Sequence, residues 1–203
     1  MEGKDIRGKA MKAMYTKNLM LREWTFNDAE ALFDYARGPE IGPNAGWAPH
    51  RDLEESRRVI EMFRASEDEI YAMVLRETGK VVGSIGLHDR APEGMQSAVR
   101  AKEIGYVLTR DMWGKGLVPE ACARLIIHAF GDGLADEVWC GHYSFNGRSR
   151  SVVVKTGFRY VGTVRKTLDR LDGSEVDLLA YRMTRDDFEE LRAVLAERAG
   201  IGL

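Results

Sequence analysis

Apolar residues along this chain switch repeatedly between a two-residue and a helical period from Leu19 onward. Leu19-Met20-Leu21 predicts a first strand. Ala29, Leu32, Phe33 and Ala36 share one helical face, so a helix is expected over Asp28–Ala36 with Asn27 as its cap. The glycine- and proline-rich stretch Gly38–His50 reads as a loop, and Asp52–Ala65 as a second helix that turns Leu53, Val59, Ile60 and Phe63 inward. Ile70–Arg76 and Lys80–His88 are β-rich runs around Glu77-Thr78-Gly79, which predicts a hairpin. A polar segment, Asp89–Arg100, leads to a further expected strand, Glu103–Thr109.

Pro119–Phe130 then carries Cys122, Leu125, Ile126, Ala129 and Phe130 at helical spacing, with Pro119 suited to a first turn. Glu137–Tyr143 predicts a strand, and Gly147–Thr156 a short helix stopped by Gly157. Phe158–Arg165 and Glu175–Met183 are expected to close the sheet as a pair. Thr184 and Asp187 form a capping-box pattern for a last helix over Arg185–Arg198. The order β-α-α-β-β-β-α-β-α-β-β-α predicts one α/β (α+β) domain over residues 19–203. The polar, basic residues 1–18 form an arm, loose or briefly helical, without an assigned role.

Composition narrows the function classes. Thirty Lys and Arg against 32 Asp and Glu leave a formal net charge of −2, which gives no basic surface for nucleic acid. Cys122 and Cys140 lie in apolar stretches and read as reduced core thiols. The histidines His50, His88, His128 and His142 lack metal-ligand spacing, so no metal is expected. There is neither an apolar run long enough for a membrane span nor a secretory leader, and a cytoplasmic protein, monomer or homodimer, is expected.

The most informative stretch is IGYVLTRDMWGKGLVPEA, Ile104–Ala121. A strand ends, Gly114-Lys115-Gly116 turns, and a helix opens. Free backbone N–H groups, the positive end of the helix dipole and the Lys115 charge converge, as a phosphate requires. G-x-x-x-x-G-K-[ST] is missing, which excludes a P-loop. Pro119 stands where a dinucleotide fingerprint needs its third glycine.

The phrases EIGYVLTRDMWGKGLVPEA and NGRSRSVVVKTGF resemble the two signature motifs of the GNAT acetyltransferase superfamily, most of all its RimJ/RimL-type branch of ribosomal-protein N-terminal acetyltransferases. The likeness runs from Leu19 to about Phe188. In that family the loop reads Q/R-x-x-G-x-G/A; here Trp113 and Val118 replace its first and last residues, which donate through the main chain in any case. The resemblance implies a mixed, mostly antiparallel sheet of about seven strands with helices on both faces, splayed between the fourth and fifth. It implies acetyl-CoA as cosubstrate, held by Tyr106, Val107 and Leu108, by Trp113, Gly114, Lys115, Gly116, Leu117 and Val118, and by Asn146. One N–H near Tyr106–Leu108 would polarise the acetyl carbonyl. Arg150, in a basic cluster with Arg148 and Lys155, would meet the 3′-phosphate or simply form a solvated face.

The resemblance implies Ser149 as the proton donor to the departing thiolate, since Val153 occupies the position where many relatives carry a tyrosine. Asn146 and Ser149 are equally explained as helix capping. Glu103, a carboxylate in a strand beside Ile104 and Tyr106, is the expected base. Asp169, Asp172, Glu175 and Asp177 are its rivals, and water can serve an α-amine. Trp47 and His50, on the Gly/Pro loop, are the expected acceptor wall. The implied reaction is direct acetyl transfer to a primary amine, a protein N-terminus or a small molecule, in a ternary complex. The alternative is a catalytically degenerate acyl-CoA sensor.

Overall fold

Alternation along one central strand, β3 (Glu69–Leu75), sets the architecture. Tyr71 and Met73 enter one core, while Ala72 and Val74 enter the other, as successive side chains of a strand must. The molecule, a computed structural model describing residues 11–202, is therefore a sheet with a packed layer on each face.

The other strands are β1 (Met14–Tyr15), β2 (Leu19–Glu23), β4 (Val81–His88), β5 (Ala101–Leu108), β6 (Glu137–Tyr143), β7 (Arg159–Thr167) and β8 (Glu175–Thr184). They pair in the order β1-β2-β3-β4-β5-β6-β8-β7, antiparallel except for β5 with β6. Helices α1 (Ala29–Ala36) and α2 (Leu53–Ala65) cover one face. α3 (Leu117–Gly131), α4 (Gly147–Thr156) and α5 (Arg185–Ala199) cover the other, where Phe130 and Phe188 stack with centroids 4.7 Å apart. The α/β mixture and the mostly antiparallel sheet agree with expectation.

Three local readings change. The eighth strand comes from the segment read as an arm. Met14 is 3% exposed in the main core, and Met14–Tyr15 pair with Leu21 and Met20. Buried Glu120 of α3 then accepts the Asn18 N–H at 2.7 Å and the Thr16 hydroxyl, which docks the turn between β1 and β2. The part of the arm reading that concerns residues 1–10 lies outside the described residues. Asn27 is not the cap of the first helix. Thr25 and Asp28 form a capping box around a 3-10 turn, with Arg22 bidentate to Asp28 at 2.7 and 2.8 Å. Finally, α3 begins at Leu117, so Pro119 is its third residue, where a missing N–H breaks no helical bond.

Candidate active site

The site begins where two parallel strands part. β5 and β6 pair from Ala101 with Glu137 through Ile104 with Cys140. Beyond that point Gly105–Leu108 keep only β4 as a partner and Gly141–Tyr143 only β8. A strand edge with unpaired N–H and C=O groups is thus left inside the molecule, and such groups need a partner. It is the splay expected between the fourth and fifth strands, which are β5 and β6 once Met14–Tyr15 is counted.

On the α3 side the splay opens into a cavity of about 630 Å3, lined by Tyr106, Val107, Leu108, Trp113, Gly114, Gly116, Leu117, Val118, Asn146 and Ser149. Gly114 and Gly116 have φ of 77° and 78°, the left-handed region that other L-residues enter only at a cost of about 1–2 kcal/mol. No atom lies within 4 Å of where a Cβ would stand on either, so an anion can approach the backbone directly. Gly116 precedes the first turn of α3, whose N–H groups face this space without helical partners. Trp113 donates its ring N–H to the Leu108 carbonyl at 2.8 Å, and the Arg148 guanidinium lies 4.4 Å from its ring centre. The tryptophan in place of the family's polar residue therefore ties loop, strand end and α4 together. Arg148 and Lys155 reach the cavity. Arg150 does not line it, and neither does exposed Lys115, whose Nζ lies 3.5 Å from Met112 Sδ.

At the throat, Asn146 caps α4 by accepting the Ser149 N–H at 3.1 Å, and its amide donates to the Asn44 carbonyl at 3.0 Å. Capping and cavity lining are thus combined in one residue. Ser149 Oγ sits 2.7 Å from the Tyr106 hydroxyl. Burial pushes the Tyr106 phenol far above its ordinary range, the buried thiols Cys140 and Cys122 add to this, and the bond to Ser149 opposes it. Tyr106 is therefore a neutral O–H that can pass a proton through Ser149. A tyrosine hydroxyl thus lies at the throat, from β5 rather than from α4.

On the α1/α2 side a second cavity, about 500 Å3, shares Tyr106, Val107, Asn44, Ala45, Asn146 and Ser149 with the first. Its floor is a strip of glycines on neighbouring strands, Gly86 opposite Gly105 and then Gly141. Trp47 and His50 form one wall with rings 5.3 Å apart. The Ala48 N–H donates to Arg170 O at 2.8 Å, which joins this loop to the β7–β8 hairpin. Burial holds the pKa of His50 below its usual value; its Nδ1 meets Ser56 Oγ at 2.8 Å. Glu103 opens onto this cavity with Oε2 accepting from Arg90 Nε at 3.0 Å. Of its rivals only Asp169 lines the space, and Arg165 holds Asp177. Tyr35, 6% exposed, also lines it, and its hydroxyl has no hydrogen-bond partner among the described residues. Such orphans usually await a ligand or water.

Sequence reasoning missed the Tyr106 hydroxyl, Tyr35 and the pair His88–Asp68, whose Nδ1 and Oδ2 are 2.8 Å apart. The signal for the last was a histidine two residues after a strand glycine, Gly86-Leu87-His88. Among the described residues no His/Cys/Asp/Glu group could hold a metal, and no helix is long and apolar enough to cross a membrane.

Comparison with known proteins agrees with this geometry. The Acetyltransferase (GNAT) domain model matches residues 18–159. The uncharacterized N-acetyltransferase p20 of Bacillus licheniformis is 31% identical over 124 residues, 59% of this chain and 67% of its own. RimJ of Mycobacterium smegmatis, solved in complex with CoA-disulfide, superposes with a TM-score of 0.72 at 20% identity, covering 94% of this chain and 96% of that one. A putative ribosomal-protein-serine acetyltransferase from Vibrio cholerae gives 0.70 at 17% identity, covering 85% and 97%. Since the domain match spans well over half of the sequence, the chain is an N-acetyltransferase that belongs to the GNAT acetyltransferase family.

Proposed function

We propose that the chain from Met14 onward acts as one catalytic domain, β1 included, that moves the acetyl group of acetyl-CoA directly onto a primary amine, a peptide N-terminus or a small-molecule amine, within a ternary complex. The observation that carries this is the meeting of two cavities on opposite faces of the sheet at Tyr106 and Ser149. A donor in one and an acceptor in the other can be present together. A covalent acetyl-cysteine route is disfavoured because Cys122 and Cys140 are buried, and burial pushes the Cys140 thiol up to about 12.

When bound, acetyl-CoA supplies a thioester carbonyl for the amine to attack and a thiol as leaving group. The loop Trp113–Val118 and the start of α3 suit the pyrophosphate, while Arg148 and Lys155 suit a further phosphate. Arg150, expected there from the sequence, faces solvent and contributes through long-range charge. The edge at Tyr106–Leu108, apart from the Leu108 carbonyl held by Trp113, suits the pantetheine amides, and one of its N–H groups is positioned to polarise the carbonyl. Tyr106 and Ser149 donate the proton that the departing sulfur takes up. Glu103 draws the ammonium group toward the throat, and Trp47 and His50 wall the acceptor in. The resemblance of the two sequence motifs to the RimJ/RimL-type branch is what favours a peptide α-amine as the acceptor class, and a cytoplasmic setting suits that chemistry.

Calorimetric titration with coenzyme A, paired with thiol release from acetyl-CoA in the presence of a serine-initiated hexapeptide, spermidine or glucosamine, tests the proposal. Saturable binding with turnover of at least one amine is expected. Binding without thiol release on any of them would leave a sensor as the better reading.

A further inference from the structure

One pair of groups on the acceptor side takes no part in the steps above. His88 ends β4, and Asp68 immediately precedes β3. The antiparallel register sets Glu69 against Leu87, so Asp68 falls opposite His88. Asp68 Oδ2 meets His88 Nδ1 at 2.8 Å, and its Oδ1 accepts the Asp89 N–H at 2.9 Å. Burial alone would raise the Asp68 carboxyl; the Asp89 N–H and the His88 ring outweigh it and hold the pKa below the usual range. An ionised carboxylate only accepts, so the ring proton sits on Nδ1 and Nε2 presents a lone pair.

The placement of Nε2 follows from the glycine floor. His88 and Glu103 face one another across β4 and β5, and the next pair on that face is Gly86 with Gly105. Without side chains there, the imidazole leans over both. A Cβ on Gly86 would stand 2.9 Å from Nε2, and one on Gly105 3.4 Å from it. Gly105 is the first residue beyond the last β5–β6 pair, so Nε2 lies at the apex of the splay on the acceptor side. No hydrogen bond reaches Nε2 from the described residues, and the His88 side chain is 22% exposed. The charged groups around it are Asp68 before β3, Asp89 and Arg90 after β4, and Glu103 with Lys102 on β5; Lys102 pairs with Asp89 and Arg90 with Glu103.

We propose that His88 is the catalytic base of the transfer, its Nε2 taking a proton from the acceptor ammonium group, and that Asp68 is a positioning residue that fixes its tautomer. The proposal rests on the acetyl-transfer reading and assigns to His88 the role that the sequence suggested for Glu103, whose Oε2 is occupied by Arg90. The nitrogen–proton bond breaks as the imidazolium forms. The freed lone pair makes a C–N bond to the thioester carbonyl carbon, and the C–S bond breaks with its electron pair on sulfur. Sulfur takes a proton from the Tyr106–Ser149 pair, which recovers one from the second N–H of the amine. One proton in all leaves through His88 to solvent.

The test measures kcat/KM from about pH 5.5 to 9, a range that spans imidazole titration, for the unmutated protein, H88Q, E103Q and D68N. The acceptor is the hexapeptide, spermidine or glucosamine, whichever releases thiol fastest; if none does, the proposed base has no proton to take and the proposal fails. H88Q is expected to lose on the order of 100-fold together with the acid limb of the profile, while E103Q raises KM and keeps that limb. D68N should lose about tenfold, with partial recovery in D68E. Coenzyme affinity should stay unchanged in all four. Nitrogen-15 NMR of the unmutated protein reads the tautomer independently of how any variant folds, and the Nδ1–H form is expected. An Nε2–H tautomer, or an acid limb that survives in H88Q, overturns the proposal. Absence of coenzyme binding in the unmutated protein would instead sink the acetyl-transfer reading, with the tautomer still deciding whether Asp68 holds the ring.

Discussion

The two cavities that meet at Tyr106 are built in opposite ways. The coenzyme side is largely local: one strand end, one glycine turn and one helix start, contiguous from Tyr106 to Val118, with α4 as its second wall. The acceptor side draws on the loop after α1, the ends of β4 and β5, the middle of β6 and the β7–β8 hairpin, all distant in sequence. Main-chain groups dominate the first and side chains the second. A pyrophosphate can be bound by backbone N–H groups whatever side chains surround them, which suits a cosubstrate common to a whole family. On the proposed acceptor side, recognition falls to side chains, which can change one at a time.

The harshest way to break the coenzyme side is G116V. A β-branched residue at φ 78° is strained and would project its methyls into the open space over the loop. Strain and obstruction together, about 2–3 kcal/mol, predict coenzyme affinity roughly 100-fold weaker by calorimetry. At the shared throat, S149A and Y106F should each lower kcat by on the order of 10–100-fold with coenzyme affinity unchanged in the same titration. A change in affinity without a change in kcat would reduce the pair to packing. On the acceptor side alone, W47A is expected to raise the amine KM by about tenfold in steady-state kinetics, with the KM for acetyl-CoA unchanged.

The smallest effect is reserved for a histidine outside both cavities. His128 is bonded through Nε2 to Glu69 at 2.7 Å and through Nδ1 to Asp132 at 2.8 Å. Burial opposes its charge, but the bonds to and charges of Glu69 and Asp132 prevail and raise its pKa. Its stabilising contribution is therefore complete below the unfolded value of about 6.5 and fades as pH rises through the raised folded value. H128Q should lower the melting temperature by roughly 3–6 °C at mildly acidic pH and by less at alkaline pH. Turnover should stay unchanged, which would set the structural His128 apart from the base proposed at His88.

Legibility followed the same division. Glu137–Tyr143 and Gly147–Thr156 run as predicted because their period and their punctuation, Asn146 and Gly157, are local. The start of α3 was misplaced because Pro119 marks a first turn without saying which of its positions it holds. Met14–Tyr15 escaped notice because two residues show no period, and their burial depends on β2 and on Glu120. Arg150 reads as the phosphate ligand in sequence, but positions two apart on a helix differ in direction by about 200°, and it is Arg148 that lines the cavity.

From the sequence alone came the element order from Leu19 onward, the glycine turn at Gly114-Lys115-Gly116 that opens a helix, and the family, because each depends on residues close together along the chain. Tertiary structure alone decided that β5 and β6 part after Ile104, that Tyr106 meets Ser149 across the gap, and that His88 lies over glycines of its own strand and the next. Those relations join residues tens of positions apart through sheet register. A one-residue slip in that register would turn Tyr106 toward the acceptor and Glu103 toward the coenzyme, so the pairing of strands, not the residue types, is what gives each side chain its side of the reaction.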